Sequence, residues 1–134
     1  YAAAPEVPAL WRAFAARLDE LDPGARTGRC LSPCHARRSE FTVYVGVETA
    51  TPIIVPPGMR SFLLMPQRYA QFAHHGPMSR VTQTYSKAFA QLREQGVRRD
   101  LGTLWLELYD DRYLPFRDEP ERDANAYEIL LAIE

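Results

Sequence analysis

Trp105, Glu107 and Tyr109 in "LWLELYDD" (104–111) alternate with leucines, so they share one face of any strand built from this stretch. A carboxylate between two aromatic rings is suited to recognising cations. The acid supplies charge, and each ring face adds about 0.5 to 2 kcal/mol through its quadrupole. A carboxylate buried by itself is costly, so this face needs a partner. Two arrangements meet that need. One is a cleft that admits a cationic ligand. The other is an arginine on a neighbouring strand, with the rings shielding an exposed sheet. In the cleft reading Tyr44, on the polar side of its own strand, is a third wall, and Tyr69 or Phe72 supplies the opposite one. Aromatic walls with few polar anchors suit flat or lipophilic molecules.

Other groups offer less. "CLSPCH" brings Cys30, Cys34 and His35 together, with His74 and His75 further on. Zinc wants four ligands, usually in tight pairs, and a C-x3-C with one adjacent histidine falls short. No metal or other cofactor is expected, and the cysteines read as reduced thiols beside a turn. His74 and His75 point to opposite faces of a strand end. There a histidine satisfies backbone groups more often than it carries protons. Ser61, Ser79 and Ser86 lack a nucleophile-elbow context, and no glycine-rich phosphate loop is present.

The elements that must hold these residues follow from periodicity. "EVPALWRAFAARLDEL" (6–21) repeats Leu10, Trp11, Phe14, Leu18 and Leu21 at helical spacing before the breakers of "DPGA". A short strand is expected near 29–31, ahead of a Ser32-Pro33 turn. "EFTVYVGVE" (40–48) is a strand with Phe41, Val43, Val45 and Val47 on one face. "TATPIIVPPG" (49–58) is a loop or an edge segment, because prolines cannot serve a central ladder. "MRSFLLM" (59–65) and "RYAQFAHH" (68–75) read as strands, and 78–96 as a helix striped by Val81, Tyr85, Ala88, Phe89 and Leu92. After the 104–111 strand, a charged loop leads to a last strand, "AYEILLAIE". Each helix is thus followed by two strands, which predicts a doubled β-α-β-β unit whose first strand lies upstream of the sequence. The expected fold class is α+β: one antiparallel sheet with two long helices on one face and a ligand cleft between the halves. In that reading the leucines of 104–108 face the helices and Glu107 faces away.

The chain has 134 residues and a net charge of −1, consistent with one domain over 1–134 and with no strong field toward nucleic acid or membrane. The densest basic run, Arg93 to Arg99, reads as a solvated helix end. No apolar run approaches the roughly 20 residues of a membrane span. No secretory signal is visible, so a cytoplasmic location is expected. No helix-turn-helix pattern is visible, so contact with DNA would need residues outside this sequence. Exposed sheet edges would allow a homodimer.

Taken in order, "LW" (10–11), "YVGVE" (44–48), "YAQFAHHG" (69–76) and "LELYD" (106–110) resemble the marks of the gyrase-inhibitor-like (GyrI-like) small-molecule-binding domain. This domain is also the effector-binding half of many AraC-type and some MerR-type bacterial transcription regulators. The resemblance implies the duplicated β-α-β-β arrangement, a cleft along the pseudo-two-fold axis, and Glu107 at its floor with Tyr109 following in an E-x-Y strand. It also implies a choice of activity. The domain binds a small aromatic, lipophilic or cationic molecule, alone or as a regulator's sensor. Alternatively it hydrolyses electrophilic cyclopropane-type toxins, with Glu107 as the catalytic acid or base. Two departures bear on pocket shape and ligand identity. Leu92 and Arg93 stand where the family often has Trp and Pro, and "EILLAIE" stands for a commoner "EIYIP".

Overall fold

The first apolar repeat forms its helix only in part. In the computed structural model, which describes residues 6–37 and 40–134, α1 (Glu6–Ala15) buries Val7 and Trp11. It stops well short of Leu21. A 3-10 turn over Leu18–Glu20 completes the segment, pinned by Arg17, which donates to Glu20 and, at 2.8 Å, to the Pro57 carbonyl.

The Ser32-Pro33 pair is not a turn. It lies inside β1 (Arg26–Arg37), a strand of 12 residues. β1 pairs with β2 (Glu40–Val43) and β3 (Gly46–Thr49), which follow one another along its edge. Pro33 explains both the tolerance and the interruption. On an antiparallel strand a residue's N–H and C=O point to the same neighbour. The Pro33 carbonyl accepts from the Tyr44 N–H at 2.9 Å. The donor that proline lacks is therefore owed to Tyr44, where the ladder breaks between Val43 and Gly46. The Ser32 hydroxyl replaces it, donating to the Tyr44 carbonyl at 2.8 Å.

The second half follows the periodicity closely. β4 (Tyr69–His75) leads through a 3-10 turn to α2 (Val81–Glu94), then to β5 (Trp105–Tyr109) and β6 (Ala126–Ala132). Gly96, at φ 68°, takes the left-handed conformation that ends α2. Residues 59–65 form no strand. They lie among Pro56, Pro57 and Pro66 without a ladder partner, and Phe62, Leu63 and Met65 are exposed.

All pairings are antiparallel, in the order β2-β1-β5-β6-β4 with β3 also on β1. β4-α2-β5-β6 is a complete β-α-β-β unit, and α1-β1-β2/β3 repeats its last three parts. The halves meet where β1 and β5 pair, with Ser32 opposite Glu107 at the centre of that ladder. The fold is α+β, as expected. The strand expected before α1 lies outside the described residues.

Register settles which face is which. Directly paired residues share a face. One face therefore carries Val43 and Val47, Cys30, Ser32 and Cys34, Trp105, Glu107 and Tyr109, Tyr127 and Ile129, and Phe72 and His74. Both helices cover this face. Trp11 of α1 meets Tyr109 edge-on at 5.6 Å, and the Tyr85 hydroxyl of α2 reaches Glu107. The expectation that the leucines of β5 face the helices is thus corrected. Leu106 and Leu108 lie on the far side, paired with Leu130 and Glu128.

Candidate functional site

Glu107 sits mid-strand on β5, and only 1% of it is exposed. Small residues opposite make room for it and its neighbours: Cys30 faces Tyr109, Ser32 faces Glu107 and Cys34 faces Trp105. Two phenols hold the carboxylate. Tyr85 donates to Oε1 at 2.5 Å, and Tyr109 donates to Oε2. The network continues outward, because the Trp105 indole N–H donates to the Tyr85 oxygen at 3.2 Å. Such charge-assisted bonds offset the desolvation of a buried acid.

The surroundings feel that acid. Tyr85 is pushed far above the usual phenol range by burial, then by the charge of Glu107 and its hydrogen bond. The Cys34 thiol is likewise raised by burial, then by Glu107. Tyr113 is raised to about 12 by burial, then by Asp118 and Glu107. Cys30 is raised to about 11 by burial. These thiols are buried and protonated, unlike a reactive cysteine.

Aromatic side chains surround this core. Tyr109 is fully enclosed by Trp11, Tyr113 and Tyr127, at ring separations of 5.6, 5.9 and 4.7 Å. Trp105 is half-buried, and its outer side meets Phe41 at 5.4 Å. Phe41 itself is 47% exposed, so this pair marks where the network reaches the surface. On α2, Tyr85 packs on Phe89 at 5.9 Å, and the Arg99 guanidinium lies over Phe89 at 4.3 Å.

Of the six residues expected in the site, four share the helix-covered face: Glu107, Trp105, Tyr109 and, two strands away on β4, Phe72. Tyr44 and Tyr69 fall on the other face by strand alternation. There Tyr44 meets Phe62 at 5.5 Å. Sequence reasoning passed over Tyr85 and Phe41, assigning both to core stripes. The signal for Tyr85 was available: a tyrosine on an apolar helix stripe needs an acceptor for its hydroxyl. His74 is fully buried and not part of this network. Its Nε2–H donates to the Pro77 carbonyl at 3.1 Å, and its Nδ1 lies 2.8 Å from the Thr84 hydroxyl. Two surface hollows, of about 450 Å³ beside Asp19 to Pro23 and about 510 Å³ beside Pro66 to Arg68, lie apart from Glu107. Among the described residues no group of three or more His, Cys, Asp or Glu could hold a metal ion, and no helix is long and apolar enough to cross a membrane.

Residues 2–133 match the family model for the GyrI-like small molecule binding domain. The transcriptional regulator BrlR of Pseudomonas aeruginosa is 29% identical over 109 residues, covering 78% of this chain and 39% of that protein. The chain therefore spans well under half of this relative's length. With nearly every residue inside the family model and an antiparallel sheet carrying both helices on one face, the chain belongs to the GyrI-like small-molecule-binding domains.

Proposed function

We propose that this domain binds an aromatic or lipophilic cation at Glu107, as the effector-sensing part of a cytoplasmic transcription regulator or as a free-standing binding protein. The observation that carries the reading is a buried carboxylate that accepts hydrogen bonds from two neutral phenols, at the junction of the two halves. A phenol donor yields to a cation more readily than an arginine would, because no opposite charge has to be displaced. Trp105 and Phe41 form the aromatic mouth, Tyr85 the movable inner wall, and Tyr109 the fixed one. Binding draws Tyr85 aside and sets the ligand's charge against Oε1, with ring faces on either side. The regulator role rests on the resemblance to BrlR.

The test is a fluorescence titration with the cationic dye rhodamine 123, on wild type and Glu107→Gln. Affinity is expected to fall by tenfold or more in the variant, the loss of one desolvated charge contact of about 1.4 kcal/mol or more. Equal affinities would contradict the reading. A carboxylate between two phenols is also an arrangement that acid–base catalysis uses, so a cyclopropane-bearing electrophile is incubated in parallel. Turnover that Glu107→Gln abolishes, while dye binding survives, would replace binding by hydrolysis.

A further inference from the structure

We infer that Arg99 extends this site, so that the domain prefers aromatic ligands carrying an anionic group as well as the cationic one. The inference rests on the binding reading above and adds a second, opposite pole. Three observations support it. First, Arg99 is joined to Glu107 by an unbroken series of contacts. Its guanidinium lies 4.3 Å from the Phe89 ring centre, Phe89 lies 5.9 Å from Tyr85, and Tyr85 donates to Glu107 at 2.5 Å. Phe89 and Tyr85 are one turn apart on α2, so they form one wall. Second, no carboxylate among the described residues pairs with Arg99, whereas Arg29, Arg98, Arg112 and Arg117 each have one. Burial pulls Arg99 below the ordinary guanidinium value, which Tyr85 partly opposes, so its charge is partly dehydrated. Third, Arg99 is held in place. The left-handed Gly96 ends the helix just before it, and its backbone bridges to Ile133 beyond β6.

Stacking on Phe89 occupies the flat face of the guanidinium. Its in-plane N–H groups remain for a planar anion such as a carboxylate, which two parallel bonds recognise. A flat ligand with a positive and a negative end thus meets Glu107 at one end, rings along its length and Arg99 at the other.

Rhodamine 123 and rhodamine 110 test this directly, because they share one cationic ring system and differ by a methyl ester against a free carboxylate. Fluorescence anisotropy is measured for wild type, Arg99→Gln, Arg99→Lys and Glu107→Gln, with circular dichroism confirming the fold of each. Arg99→Gln is expected to weaken rhodamine 110 about tenfold and rhodamine 123 less than twofold. Arg99→Lys should recover only part of the loss, because ammonium cannot make the paired bonds. Equal effects on both dyes, or none, would overturn the role of Arg99. In that event dependence of rhodamine 123 on Glu107 would leave the binding reading intact. Failure of wild type to bind either dye would overturn both.

Discussion

Replacing Tyr109 with phenylalanine removes one oxygen and measures how Glu107 is held. The ring stays, and with it the contacts to Trp11 at 5.6 Å and Tyr127 at 4.7 Å. What is lost is the hydroxyl that donates to Oε2. Hydrogen bonds to charged groups contribute about 1.5 to 3 kcal/mol, and an acceptor left buried adds to the cost. Tyr109 is 0% and Glu107 1% exposed, so solvent cannot take the hydroxyl's place, and the upper half of that range, about 2 to 3 kcal/mol, applies. For a chain of this size that is a fall in Tm of roughly 6 to 10 °C. Tyr85→Phe removes the other donor from the same enclosed carboxylate and should cost a similar amount, about 1.5 to 3 kcal/mol. Urea denaturation followed by circular dichroism gives both numbers, with the slope unchanged. Combining Tyr109→Phe with Glu107→Gln should be non-additive by about 1 kcal/mol or more, since both remove one interaction. A Tyr109→Phe domain as stable as wild type, or strict additivity, would refute the idea that the phenols hold the acid.

Acid should weaken the domain through His74. Burial holds its imidazole below the ordinary value of 6.5, against the opposing bond to Pro77, so the folded state favours the neutral ring. The unfolded chain takes up that proton as pH falls through about 6.5, so the contribution is full above that pH and is lost below it. The urea midpoint of wild type should therefore drop from pH 7 to pH 5 more steeply than that of His74→Gln; parallel slopes would contradict this. Cys30 and Cys34 should resist a disulfide reagent near pH 8 in the folded domain and both react once it is denatured. Fast labelling of the native protein would contradict the burial of both thiols.

The site was legible as residue types and hidden as geometry. Alternation through 104–109 correctly grouped Trp105, Glu107 and Tyr109, because strand periodicity is local. It could not say which group met the helices, since both faces of β5 are largely apolar and buried: Leu106 is 6% exposed and Tyr109 0%. The pairing with Cys30, Ser32 and Cys34 decides that, and pairing is non-local. For the same reason Tyr44 and Tyr69 were grouped with Glu107, although register puts them across the sheet. Pro33 read as a turn because its missing donor is ordinarily disruptive; here a neighbouring serine hydroxyl replaces it. The 59–65 run read as a strand from its apolar content, yet it has no partner among the described strands. The last strand and the second helix were plain, each resting on a long and regular pattern, whereas the doubled order rested on the succession of elements alone, because the halves share no plain sequence identity. Arg99 read as part of a solvated helix end; its stacking on Phe89 depends on the turn at Gly96.

A structure of the domain with rhodamine 123 bound is the most direct measurement. The dye's ring system should lie on the helix-covered face between Trp105 and Tyr85, with a charged nitrogen turned toward Oε1 of Glu107. A dye seated instead across the sheet, against Tyr44 and Tyr69, would contradict that placement.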